Sequence, residues 1–402
     1  PCPVMNVHVG HTVGLIRRAV ETLSPQAPIR WDVPFRGLKG RPKIIILSDR
    51  MDATYYATFH YPLQYLQDRA LLDFAVMSGA EVRKSVSRMG EAHRLVDHLI
   101  AREAPHAVIF SRYATPYGRE LLEAVRSHSI TTLYYCDDNL LDLPANLGNG
   151  VLAAHADHEV VEQRRACLAT ADRILASTSY LAETLKGQFP NQHTQVLLYP
   201  PYLECLVRPA ARHDDGTDIR TVTIGYMGSK GHQRDLEMAV PAIAETLERF
   251  PNTRFETFGT IAMPDALHQF ARRVKAHGPK NRYPEFLQGL HDLHWDVGLA
   301  PLVDDCFNRC RSPIKFVEYT ACNIATVASD VGVYRPAMTP GCGLVVQEQD
   351  WCSALEQFVT DAQLRRFSLE QAREACARQF SLQKVAAGFL AALEITQSHE
   401  AV

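Results

Sequence analysis

The chain has 402 residues, 46% apolar and 22% charged, which is the balance of a globular protein with room for roughly two to three domains. A formal net charge of −3 lacks the basic footprint of a nucleic-acid-binding surface, and no run approaches the ~18 uninterrupted apolar residues of a membrane span. The 10 cysteines are scattered without a CxxC pair, a reduced set that gives the expectation of a cytoplasmic protein.

No charged segment followed by an apolar one opens the chain as a secretion signal would. The start at Pro1 rather than Met gives the expectation of a processed chain or one module of a longer polypeptide. Val13, Ile16, Val20 and Leu23 share one face of a helix predicted over 12–24. Between Arg30 and Lys43 stand five basic residues and one acidic. That stretch reads as a solvated linker; the other reading is an arm meeting anionic lipid at the inner face of the membrane, or a polyanionic acceptor. Residues 1–42 are thus an N-terminal helix and basic linker.

From 43 onward short apolar runs alternate with amphipathic ones. Strands are predicted at "KIIILSD", "HAVIFSR", "TTLYYCDD" and "RILAST", with helices at 62–79, "YGRELLEAVRSH", "EVVEQRRACLATA" and "SYLAETLKGQF". Residues 199–218 break the rhythm with prolines and charges and read as an interdomain linker. The alternation restarts with "TVTIGYMGS", "TRFETFGT", "WDVGLAPL", "ATVASD" and "GCGLVV", between helices such as "RDLEMAVPAIAETLERF" and "YPEFLQGLHDL". Repeated βαβ units give the fold class α/β, with two doubly wound Rossmann-like domains over 43–200 and 221–380. The long helix over 381–396 is expected to cross back onto the first domain. Ligands of such sheets lie beyond the carboxyl ends of the strands.

The stretch "RCRSPIKFVEY" carries most of the chemistry. Ser312 is a good N-cap and Pro313 suits the first helical position, leaving the amides of Ile314 and Lys315 free. A Lys in a first turn opposes the helix dipole unless an anion binds there, and Arg309 and Arg311 flank the spot. Glu318, one turn deeper, could accept hydrogen bonds from the vicinal hydroxyls of a ribose; the alternative is a solvated Lys315–Glu318 surface pair. The loop "GSKGHQRDL" offers Gly228, Ser229, Lys230 and Arg234 at a strand end, where glycine lets backbone approach a phosphate; an ordinary turn is the alternative. Together the two loops describe a nucleotide diphosphate site. Cys306 and Cys310, one helical turn apart, lack the second ligand pair that zinc needs.

In order and spacing, "IGYMGSKGHQRDL", "WDVGLAPL" and "FNRCRSPIKFVEYTACNIATVASDVGVY" resemble the C-terminal domain of GT-B glycosyltransferases, most of all the retaining family-four-like enzymes that build bacterial surface polysaccharides such as capsule or lipopolysaccharide. "LYYCDDNLLDLP" resembles their first-domain Asp-rich segment. The resemblance implies a donor such as a UDP- or GDP-sugar, no other cofactor, no bound metal, and a saccharide or lipid-linked acceptor on the first domain. It implies that Glu318 binds ribose, that Ser312 to Lys315 and Gly228 to Arg234 hold the diphosphate, and that Lys230, Arg234 and Lys315 neutralise its charge. Cys310 stands where many relatives carry a Glu near the donor sugar. Asn323, Ile324 and Ala325 replace a Gly-x-Pro.

In the first domain, Asp137, Asp138 and Asp142 follow a strand end. They read as Mg²⁺ or Mn²⁺ ligands, as a general base with Asp138 the catalytic candidate, as acceptor-binding groups, or as a turn cluster. Arg112 and His60 are further acceptor-side candidates. Two rival functions stand beside the transferase: a GT-B-like scaffold module without catalysis, and a nucleotide-sugar epimerase of related fold.

Overall fold

The computed structural model describes residues 29–395, apart from 87, 146, 148–151, 153–154, 198, 205–206 and 208–220. The helix expected over 12–24 and most of the 199–218 linker lie outside the described residues. Six strands make the first sheet: β1 Lys43–Ser48, β2 Asp73–Ser78, β3 Ala107–Ser111, β4 Thr131–Cys136, β5 Arg173–Ala176 and β6 His193–Val196. Their order is β2-β1-β3-β4-β5-β6, with every pairing parallel. The second sheet holds β7 Val222–Gly228, β8 Thr253–Gly259, β9 Val274–His277, β10 Val297–Ala300, β11 Ala325–Ser329 and β12 Leu344–Val346. It is also parallel, in the order β12-β11-β10-β7-β8-β9. Helices cover both faces, so central strands such as Ile44–Leu47 are apolar at every position and buried.

Chain order reverses between β1 and β3 and between β7 and β10. Loops leaving the carboxyl ends of such neighbours turn to opposite faces and open a crevice. The two crevices face one another.

One predicted element is corrected. The helix read over 62–79 is two elements: Tyr61–Asp68 is helical, and Asp73–Ser78 is β2. Ala70, at φ 50, turns the chain between them. The apolar run "FAVM" satisfies a helical face as well as a buried strand, and only pairing along β1 decides between them. The short strands β6 and β9 and the helices Met89–Glu103, Trp351–Thr360 and Ala362–Gln379 are additions to the predicted set.

The last helix, Leu382–Ala392, packs on the first domain. Val385, Ala386 and Phe389 share a core with Ile44, Phe59 and Leu63, and the Phe389 ring lies 5.6 Å from that of Phe59. Arg173 Nη1 donates to the Ala392 carbonyl at 2.7 Å. The chain therefore crosses between the domains twice, and the two crossings are tied together: the Tyr202 amide donates to the Phe380 carbonyl at 2.6 Å, and Tyr202 bridges Ser381.

Candidate functional site

A cavity of ≈ 390 Å³ opens where the two crevices meet, lined by Asp52, Thr54, Asp137 and Asp138 from the first domain and by Ser229, His232, Arg311, Ser312 and Lys315 from the second. Each wall is built at strand ends.

On the first wall, Arg112 follows the end of β3 at φ 51, its amide donating to the Tyr135 carbonyl at 3.0 Å. Its guanidinium donates to Asp52 Oδ2 at 2.6 Å, and to Thr54 Oγ1 and Asp137 Oδ2 at 3.3 Å each. The Thr54 hydroxyl donates to the same Asp137 oxygen at 2.9 Å. Asp137 is buried and its Oδ1 makes no hydrogen bond, leaving a free acceptor. Burial pushes the Asp138 carboxyl up to about 6, against the opposing pull of Arg311 across the cleft; Arg311 Nε lies 4.0 Å from Asp138 Oδ1.

On the second wall, β7 and β8 end side by side. Gly259 adopts φ +120, and a Cβ there would lie 2.3 Å from the Gly228 carbonyl oxygen. That close approach lets the amides of Thr260 and Ile261 donate to the same carbonyl at 3.1 and 3.2 Å. Ser229 lines the cavity beyond, while Lys230 stays exposed with its amide donating to Thr260 Oγ1.

The helix Ile314–Ala321 starts one residue later than expected. Pro313, at φ −79 and ψ 33, takes the N-cap place, and Ser312 makes no capping bond. Proline has no N–H and no side-chain acceptor, so the first-turn amides lack a side-chain cap and open toward the cavity. Lys315 and Glu318 are each only 6% exposed, which removes the reading as a solvated surface pair. Lys315 Nζ lies 5.6 Å from the Tyr226 ring centroid and 3.5 Å from His232 Nδ1. Burial and the neighbouring Arg311 bring its ammonium down to about 8. Glu318 Oε1 accepts from the Tyr283 hydroxyl at 2.8 Å. Burial pushes its carboxyl up to about 7, with Tyr283 and Lys315 opposing.

Several residues singled out in the sequence are placed elsewhere. Arg309 forms a fork on the exposed Asp304, at 2.6 and 2.7 Å. Arg234 pairs with Asp305 at 2.9 Å in a neighbouring groove that Asp142 also lines. His60 sits among the rings of Tyr55, Tyr56, Tyr61 and Phe74, where burial lowers its pKa. Cys310 is fully buried and turned into the first domain's core with Leu181 and Leu185; its carbonyl accepts from Thr178 Oγ1 at 2.9 Å. Cys306 is exposed, so the two thiols make no clasp. The described residues hold no group of three or more potential metal ligands.

His232, Asp235, Tyr283, Asp52 and Thr54 escaped the sequence reading. His232 and Asp235 stand three apart at a helix start, a spacing that signals a shared face, but Lys230 and Arg234 in the same loop are the stronger local signal. Tyr283 lies 35 residues from the Glu318 that it touches, and no local pattern marks it.

Two parallel six-stranded domains facing across a cleft are the GT-B architecture. HepE from Anabaena in complex with UDP shares the fold at a TM-score of 0.61 and 12% identity, over 88% of this chain and 99% of that chain. Sucrose-phosphate synthase from Thermosynechococcus elongatus shares it at 0.61 and 12%, over 88% and 98%. In sequence the chain is similar to the D-inositol 3-phosphate glycosyltransferase of Corynebacterium aurimucosum, 28% identical over 200 residues, or 46% of this chain and 45% of that protein. The chain spans about half the length of the curated relatives it matches. No protein-family model matches it.

Proposed function

We propose that this chain is a glycosyltransferase that moves a sugar from a nucleotide diphosphate sugar to a saccharide or lipid-linked hydroxyl acceptor, with retention of configuration. One observation carries the reading: a buried lysine and an uncapped helix start face the interdomain cavity beside Arg311, an arrangement unfavourable for the helix alone and suited to a diphosphate. Lys315, Arg311 and the Ile314 amide neutralise charge that grows on the leaving diphosphate. Glu318, oriented by Tyr283, takes the ribose hydroxyls. Across the cleft, the free Asp137 oxygen and Asp138 hold the acceptor. In a retaining path the leaving diphosphate takes the acceptor proton, so the protein's part is to position both partners. HepE has been crystallised with UDP and with UDP-glucose, which supports UDP as the nucleotide.

The proposed setting is surface-polysaccharide synthesis on the cytoplasmic side of a membrane, with the chain acting at the bilayer surface. No described helix is long and apolar enough to cross a membrane. The test is release of UDP or GDP from a panel of nucleotide sugars, with and without saccharide acceptors. Acceptor-stimulated release supports the transferase. Conversion of a donor without any acceptor supports an epimerase, and an inert protein supports the scaffold. The cations replace a divalent metal, so turnover is expected to survive EDTA; loss in EDTA and recovery with Mn²⁺ would recast Asp137 and Asp138 as metal ligands.

A further inference from the structure

The cations of the donor wall need fixed positions without losing their charge. Arg311 shows how this is done. Its nearest carboxylates, Asp138 and Asp235, both stand at 4.0 Å, too far for a hydrogen bond. The groups it touches are uncharged: the Phe307 ring, 4.8 Å away, and the imidazole of His232.

That imidazole is itself held. Asp235 is 4% exposed and accepts from Asn308 Nδ2 at 3.0 Å, from the Val303 amide at 3.1 Å and from His232 Nδ1 at 3.1 Å. An aspartate carboxylate only accepts, so the contact with Asp235 favours the proton on Nδ1 and the lone pair on Nε2, against the approach of Arg311 Nη1 and of Lys315 Nζ, 3.5 Å away, to the same Nδ1. Arg311 Nη1 lies across the edge of the ring, 2.7 Å from Nδ1 and 2.9 Å from Nε2. With Nδ1 committed to Asp235, Nε2 accepts the guanidinium N–H. Burial and the charges of Arg311 and Lys315 hold the imidazole down to about 3, so the ring is neutral and the lone pair is available. His232 and Asp235 follow β7, while Val303 and Asn308 follow β10. The network therefore ties together the two loops of the switch point.

We infer that Asp235 and His232 are positioning residues for the diphosphate grip: Asp235 fixes the Nδ1–H tautomer of His232, and Nε2 then holds Arg311 against the cavity opposite Asp138 without neutralising it. This rests on the donor-site reading above. A carboxylate in place of the ring would hold the arginine equally well and cancel its charge toward the ligand.

Calorimetry with UDP on the full chain tests the inference, beside ¹⁵N spectra of the histidine rings. His232→Phe keeps the ring volume and loses both hydrogen bonds, and is expected to weaken UDP binding at least tenfold. His232→Gln can still donate to Asp235 and accept from Arg311, so it should stay within about threefold of wild type. Asp235→Asn should release the tautomer and lose UDP affinity; if burial makes that variant misfold, the two His232 variants carry the test. Wild-type affinity in His232→Phe, or an Nε2–H tautomer in the wild-type spectrum, overturns the inference alone. Failure of the wild type to bind UDP or GDP overturns the donor-site reading and the grip with it.

Discussion

Glu318 and Lys315 sit on one helix, yet they are tuned in opposite senses by the same burial. A carboxyl held at about 7 is ionised only above that pH, and an ammonium held at about 8 is charged only below it. If the first grips ribose and the second phosphate, UDP affinity should peak between about pH 7 and 8 and fall on both sides. Calorimetry across pH 6–9 should show the acid limb vanish in Glu318→Gln and the alkaline limb in Lys315→Met. Hydrogen bonds to charged groups contribute about 1.5–3 kcal/mol, so Glu318→Gln should weaken UDP by about tenfold or more at neutral pH. Lys315→Met should reduce kcat at least as much as it raises KM, because charge on the leaving group is greatest in the transition state. Folding gives an independent check. The folded pKa of Glu318 lies above its ordinary value, so its contribution to stability is greatest below about pH 4.5 and fades as pH rises through 7; Glu318→Gln should remove that slope. Lys315 was legible in the sequence because a cation in a first turn opposes the helix dipole, and Glu318 because it stands one turn deeper on the same helix. Tyr283 was not, since a contact made through the fold leaves no mark on local spacing.

Secondary structure was most legible where a segment is buried on both faces and bounded by turns, as in "KIIILS" and "ATVAS". It is least legible where helix and strand make the same demand on composition, as over the apolar run of β2. The donor wall depends on a contact of this non-local kind, the approach of Gly259 to Gly228. Gly259→Ala introduces a Cβ 2.3 Å from the Gly228 oxygen at a φ of +120. Strain of this kind is of order 1–3 kcal/mol, and the ends of β7 and β8 would have to part. Chemical denaturation should show that loss, and UDP titration of the folded protein should show weaker binding, because Ser229 moves with the Gly228 loop. Unchanged affinity would mean that this loop does not carry phosphate.

Both walls of the cavity belong to separate sheets, so the site exists only when the domains meet. The hinge is double, because the Tyr202 and Phe380 segments cross side by side, and Cys310 anchors the donor segment in the first domain's core. Small-angle scattering should show a more compact particle at saturating UDP than without it; superposable profiles would count against closure. At Cys310, where the resemblance implied a Glu near the donor sugar and the sequence departs from it, the fold has put an interdomain anchor, a role that only packing could reveal. The returning helix has a consequence of another sort. Val385, Phe389 and Leu390 are buried, and at about 1.5–3 kcal/mol each they supply an amount comparable to the whole stability of a typical domain. A chain ended after Phe380 should therefore fail to hold its first domain and should aggregate when refolded, whereas wild-type-like melting of that shortened chain would show the helix to be dispensable. On the ribosome the same dependence becomes a delay. Between Val196 at the end of β6 and Leu382 at the start of the helix, synthesis takes roughly 10–40 s at about 5–20 residues per second. For that interval the face around Ile44, Phe59 and Leu63 is finished but uncovered, which makes the nascent first domain a natural client for a chaperone.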